Sequence, residues 1–136
     1  IWGSAGLSET AAFRWKAQIN ENAKSPAYWA VLPELNHNEI MGFDEPRDII
    51  RQLCLVILRD SGDHPRVLRR IEITKDLVKD QVKNMLEVQS SGRSWLARFY
   101  SLVYTGDYAS TYLAWEYGKD PVAIEAIDHL KAELAK

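Results

Sequence analysis

Cysteine is almost missing from this sequence: Cys54 stands alone among 136 residues. A lone cysteine excludes an internal disulfide and suits a reducing, cytoplasmic setting. Its neighbours, Leu53 on one side and Leu55-Val56-Ile57-Leu58 on the other, predict a buried and inert thiol. Excess positive charge is lacking too. Seventeen Lys and Arg against nineteen Asp and Glu give a formal charge of −2, which argues against a nucleic-acid partner. Arg66, Arg69 and Arg70 do cluster, but Asp63 and Glu72 flank them, and the group reads as a solvated helix face. No apolar run approaches the roughly 20 residues of a membrane helix, so no membrane partner is expected. Nor does the start read as a signal peptide. Repeats and low-complexity segments are absent. The first residues, Ile1-Trp2-Gly3-Ser4, lack Met and read as a strand already in progress, so a domain of a longer protein is expected.

What is present is one domain's worth of alternating elements, long enough to bury a core. Ile1–Gly6 reads as a strand running into a small-residue turn, and Ser8 reads as the cap of a helix carrying Ala11, Ala12, Trp15 and Ile19. Such a turn can cradle phosphate, yet it lacks the full spacing of a nucleotide fingerprint and reads first as a tight strand-to-helix turn. The helix should end between Asn22 and Ser25, because Pro26 biases Ser25 away from helical angles. Residues 26–35 read as a packed loop. Leu53–Leu58 predicts a central strand covered on both faces, Pro65 to about Lys79 a helix, and Asn84–Gln89 another strand. From Ser94 to about Gly118 the pattern is helical and aromatic, with Trp95, Phe99, Tyr100, Tyr104, Tyr108, Tyr112, Trp115 and Tyr117 forming a stripe. That stripe predicts a helix buried partly in the domain and partly against a partner. Asp120-Pro121 reads as the start of the last helix. Strands alternating with helices predict a three-layer α/β fold with a parallel sheet.

Two ionisable residues are set among amides. Asn20 and Asn22 flank Glu21, and Asn36 and Asn38 flank His37, sixteen residues further on. Amides can orient an ionisable group without cancelling its charge, and a carboxylate with an imidazole is a common kit for moving protons between carbon and oxygen. Glu21 also falls in the last turn of its helix, where the negative end of the dipole would favour a cation over a carboxylate. The plainer reading is a polar helix end followed by a polar loop, and the residues alone leave both readings open. His64 and His129 sit among charged residues and read as solvated. On the last helix, Ile124, Ile127, Leu130 and Leu134 form an apolar face in which Lys131 falls. An inward lysine must snorkel or find a polar site. No cluster of His, Cys and carboxylate has metal-ligand spacing.

Three stretches share a resemblance: QINENAKSPAYWAVLPELNHNEIMGF, RDSGDHPRVLRRIEIT and SLVYTGDYASTYLAWEYGKDPVAIEAIDHLKAEL. In this order they resemble the C-terminal half of the bifunctional phosphoglucose/phosphomannose isomerases, which have the sugar isomerase (SIS) fold. The resemblance covers almost the whole chain. It implies a cytoplasmic aldose–ketose isomerase that interconverts glucose 6-phosphate, and mannose 6-phosphate as well, with fructose 6-phosphate, without metal or organic cofactor. Carried over by motif, Glu21 would be the base between C1 and C2, His37 would open the sugar ring, and Lys131 would stabilise negative charge on oxygen. In such enzymes serine- and threonine-rich loops of a preceding SIS domain hold the substrate phosphate, and the histidine crosses a homodimer. The resemblance therefore implies two partners, an N-terminal SIS domain of the same protein and a second subunit, and a chain that alone is inactive. The rival expectations are a non-catalytic sugar-phosphate-binding regulatory module and a purely structural dimerisation domain.

Overall fold

The computed structural model describes all of residues 1–136. Four parallel strands form one sheet: β1 (Trp2–Ser4), β2 (Ala30–Leu32), β3 (Cys54–Arg59) and β4 (Asn84–Gln89), in spatial order β2-β1-β3-β4. Five helices accompany them: α1 (Leu7–Ala23), α2 (Arg47–Ile50), α3 (Pro65–Val78), α4 (Trp95–Glu116) and α5 (Glu125–Leu134). Two 3-10 turns, Glu34–Asn36 and Glu39–Phe43, follow β2.

The sheet divides the core in two. On one face Ala11, Ala12 and Trp15 of α1 meet Leu58 of β3 and Leu102 and Val103 of α4. On the other, Ile71 and Val78 of α3 pack with Leu35 against Trp2, Leu32, Leu55 and Ile57. Each such fully buried aliphatic side chain stabilises by about 1.5–3 kcal/mol. This is the three-layer α/β arrangement that the alternation of elements predicts, with helices on both faces of a parallel sheet.

Helices α1 and α4 lie close because α4 presents small residues to α1. Gly106, Ser110 and Ala114 recur every fourth residue on its buried face, and the Trp15 indole lies against Gly106. Trp15 Nε1 donates to the Leu102 carbonyl at 2.7 Å, which satisfies the one polar atom of a buried ring. At the rim, Arg14 grips Asp107 with two hydrogen bonds of 3.1 and 2.9 Å. On the opposite face α3 is tied to the sheet by charge. Glu72 accepts from Arg59 of β3 at 2.7 Å and from Lys75 at 2.9 Å, and both cations also meet Glu87 of β4.

Several local expectations give way to tertiary structure. Residues 30–32, expected in a loop, form β2, because an Ala-Val-Leu triplet beside β1 pairs with it through Ala30, Val31 and Leu32. Ser8 is not the cap of α1. Gly6 occupies the cap position, and the buried Ser8 hydroxyl accepts from the Ser4 backbone N–H at 2.8 Å. Asp120-Pro121 does not open α5, which starts at Glu125; the Asp120 carboxylate instead accepts from the Val122 N–H and closes a turn. Cys54 is exposed, not buried, because it enters β3 at the sheet edge and burial begins only at Leu55. Helix α4 is buried in part in the domain, as expected, through Leu102, Val103, Gly106, Ser110 and Ala114, with Phe99 packed against the core. Most of its aromatic stripe is not in the core: Tyr100, Tyr104, Tyr108, Tyr112 and Trp115 are 44–65% exposed. No helix is long and apolar enough to cross a membrane.

Replacing Gly106 by alanine tests the α1–α4 contact. In an ordinary helix interior the change stabilises by about 1 kcal/mol, but here the new methyl group would fall within the Trp15 ring. We expect a net loss of about 2 kcal/mol in urea unfolding, because overpacking outweighs propensity. A gain would show that the helices lie further apart. The ion network predicts an acid limb. Hydrogen bonds from Lys75 and then Arg59 hold the Glu72 carboxyl below its ordinary value of 4.5. Its stabilising contribution is thus present above that value and lost as pH falls through the lower, folded value. Glu72→Gln should flatten the decline of Tm below about pH 4.5, by about 2 °C given the exposure of the pair.

Candidate active site

The parallel topology decides where the expected site residues can be. Strand β1 ends at the turn into α1, and α1 then runs back against the strand direction before β2 rises beside β1. Glu21 lies fourteen residues beyond the start of α1, about 21 Å down its axis. His37 follows the first 3-10 turn, whose Leu35 packs with α3 on the other face of the sheet, and its neighbour Asn36 bonds to Thr74 of α3. Glu21 and His37 thus belong to elements on opposite faces of the sheet. Lys131 is on α5, whose residues are all exposed. One copy of the chain does not bring the three together.

Each of the three is nevertheless left chemically free. The side chains of Glu21, His37 and Lys131 are exposed and form no hydrogen bond or ion pair within the chain. Their amide neighbours do not orient them, contrary to expectation. Asn20 donates to the Ser25 carbonyl at 2.8 Å, and Asn22 donates to Ser110 at 2.9 Å and Gln18 at 3.1 Å. Asn36 donates to Thr74 at 3.0 Å and accepts from Arg70 at 3.2 Å, while Asn38 accepts from the Glu39 N–H at 2.6 Å. The amides fix the backbone on which Glu21 and His37 are carried.

Lys24, which the sequence does not mark out, does the same for the end of α1. It adopts a left-handed conformation with φ 54°, uncommon for a residue with a side chain. Its ammonium donates to the Glu21 carbonyl at 2.8 Å and to the Asp120 carbonyl at 2.9 Å. That bond ties the end of α1 to the segment leading into α5. It also sets a cation on the negative end of the α1 dipole, so the helix end that carries Glu21 is not left uncompensated.

The turn between β1 and α1 is filled by the chain's own groups. Gly6 N–H donates to Glu9 at 3.2 Å, and Ser4 Oγ donates to Asp63 at 2.6 Å. Alongside, Asp60 is buried and accepts from Arg98 at 2.8 Å and Ser90 at 2.5 Å. Carboxylates occupying these donors leave a poor cradle for phosphate. The polar residues around Asp60 and Asp63 carried no sequence signal beyond a turn, since their partners lie 30 to 59 residues away. No three His, Cys, Asp or Glu side chains gather into a set able to hold a metal ion.

Residues 1–134 match the family of the bacterial phospho-glucose isomerase C-terminal SIS domain. The chain belongs to that family. A bifunctional phosphoglucose/phosphomannose isomerase of Caldicellulosiruptor bescii is 49% identical over 136 residues, and one of Aquifex aeolicus is 42% identical over 133. The chain spans 40% and 41% of the length of these two relatives. A glucose-6-phosphate isomerase-like protein from Thermus thermophilus superposes with a TM-score of 0.70 at 21% identity, over 96% of this chain and 42% of that one. This last likeness supports the fold. In this SIS domain, then, Lys24 is the link between the segment bearing Glu21 and the segment bearing Lys131.

Lys24→Asn tests that link, since asparagine tolerates the left-handed conformation but lacks the ammonium. We expect amide exchange about tenfold faster at Val122 and the first turn of α5, with α3 unchanged. Unaltered exchange would mean that the segment is held by something other than Lys24.

Proposed function

We propose that this chain supplies the proton-transfer groups of an aldose–ketose isomerase. The enzyme would interconvert glucose 6-phosphate, and mannose 6-phosphate as a second substrate, with fructose 6-phosphate through an enediol(ate). The observation that carries this reading is the 49% identity to a bifunctional phosphoglucose/phosphomannose isomerase over the full 136 residues. Glu21 takes the proton from C2 of the open-chain aldose and returns it to C1, while the hydroxyl proton moves between the two oxygens. His37 opens the ring by proton transfer at the ring oxygen, and the Lys131 ammonium offsets negative charge on the enediolate oxygens. Each role asks for a group free of internal partners, and all three side chains are free.

Glucose and mannose 6-phosphates differ only at C2. Planarity at C2 in the enediol erases that difference, so a single base can serve both. These steps move protons only and call for no organic cofactor. The separation of Glu21 from His37 supports a site completed by other parts: a homodimer in which one subunit's His37 serves its partner, and an N-terminal SIS domain that holds the phosphate. A cytoplasmic enzyme of central sugar metabolism fits this chemistry.

The test is fructose 6-phosphate in heavy water, followed by NMR, with the protein carrying both SIS domains and with its Glu21→Gln variant. We expect deuterated aldose 6-phosphates from the unaltered protein. The variant should keep its affinity and lose turnover by about a thousandfold or more, as for removal of an essential base. The 136-residue chain alone should show no turnover. Binding without turnover in the unaltered two-domain protein would instead support a regulatory sugar-phosphate module.

A further inference from the structure

The charge pairing of the arginines is uneven. Arg14, Arg47, Arg59 and Arg98 each meet a carboxylate. Arg66, Arg69 and Arg70 meet none, although acids flank them in sequence. Asp63 is turned to Ser4, and Glu72 to Arg59 and Lys75. All three unpaired guanidiniums line one open groove of about 470 Å³ between α3 and the turns after β2. The expectation of a solvated helix face holds, with Arg66, Arg69 and Arg70 all exposed, but the neighbouring acids are spent elsewhere.

The groove has a charged half and an apolar half. Arg66, Arg69 and Arg70 stand toward the start of α3, and Ile73 and Leu77, more than half exposed, continue the same helical face. Arg70 is held in place, its Nη1 donating to Asn36 at 3.2 Å, and Asn36 is anchored on Thr74 at 3.0 Å. Arg66 and Arg69 side chains bond to nothing. Three guanidiniums at the start of a helix also face the positive end of its dipole, and the first turn of α3 contains no acid to offset them. Such an arrangement is stabilised by an anion that brings several oxygens at once. The helix end is not itself the binding element, because His64 Nδ1 already accepts from the Arg66 backbone N–H at 3.2 Å.

The geometry points to a phosphate site: Arg66, Arg69 and Arg70 hold a phosphate dianion, free or esterified to a sugar, in the groove beside His37. The planar guanidinium presents paired N–H donors that match two phosphate oxygens, which a lysine ammonium cannot do. A groove of this volume accommodates a hexose phosphate, with the C–H faces of the sugar against Ile73 and Leu77. Because Arg70 is bonded to Asn36, the residue before His37, a bound phosphate is coupled to the loop that carries the imidazole. This site is distinct from the turn between β1 and α1, where carboxylates occupy the donors, and it is a second phosphate position beside the one proposed for an N-terminal SIS domain, with no requirement for Glu21.

The experiment is a titration of the 15N-labelled 136-residue chain with inorganic phosphate, glucose 6-phosphate and unphosphorylated glucose at constant ionic strength. The readouts are the arginine Nε–H and backbone signals. We expect saturable shifts confined to Arg66, Arg69, Arg70 and the Asn36–His37 loop with both phosphates, and none with glucose. Affinity should fall at least about tenfold in the double variant Arg66→Gln, Arg69→Gln. These two side chains make no internal contact by hydrogen bond or ion pair, so the variant should keep its Tm. Equal affinities would identify free phosphate as the ligand, and tighter binding of glucose 6-phosphate a sugar ester. Non-saturable shifts, shifts with glucose alone, or affinities unchanged in the double variant would overturn the proposal. So would a phosphoserine peptide that binds about tenfold more tightly than either small phosphate. The probe is binding, not turnover, so failure here leaves the isomerase reading standing, and loss of that reading leaves this site to be judged on its own titration.

Discussion

Everything in this domain follows from the way a parallel sheet returns its chain. Each strand must be followed by a crossover that runs back to the starting edge, and here α1 is that crossover between β1 and β2. A crossover helix lies on one face of the sheet, and α1 packs on the face opposite the turns after β2. Glu21 and His37 are sixteen positions apart in sequence and yet belong to elements on opposite faces of the sheet. The paired strands stand between them, with Trp2 opposite Ala30 and Ser4 opposite Leu32. No side-chain rotation can undo it.

The same economy shapes the rest of the surface. Groups needed to hold the fold have partners: Trp15 with Leu102, Arg98 with Asp60, Arg59 and Lys75 with Glu72 and Glu87. The groups proposed for chemistry have none. Helix α4 shows the division within a single element, with Gly106, Ser110 and Ala114 turned to α1 and a ladder of tyrosines turned outward. Adjacent rings of that ladder contact one another, Tyr100 with Tyr104 at 5.5 Å and Tyr112 with Trp115 at 5.4 Å between centroids. Ring-on-ring contact covers part of the apolar area without any partner.

How far the sequence could be read depended on whether local rules and tertiary context agreed. Strands β3 and β4 and helix α3 were legible because each carries its own pattern: a branched apolar run, a short segment holding Met85, Leu86 and Val88, and a proline start with a spaced apolar face. Strand β2 was not, since three residues have no periodicity and only pairing with β1 makes them a strand. Ser8 and Asp120 look like helix caps in isolation. Ser4 claims the first and a turn at Val122 the second. Of the site, residue types were legible and relations were not. The asparagines beside Glu21 and His37 suggested partners for those side chains, whereas their amides bond to atoms brought near by folding, Ser110 and Thr74 among them. Near Arg66 the flanking acids were legible, but sequence proximity cannot reveal that Asp63 and Glu72 turn to other partners.

Helix α5 has a further meaning. It buries none of its residues, although Ile127, Leu130 and Leu134 share one side. The folding free energy of the domain therefore depends less on α5 than on the helices that bury residues in the two halves of the core. Substitutions in α5 would cost the fold less than substitutions in α1, α3 or α4, so a screen for folding reads those three helices far more closely than this one.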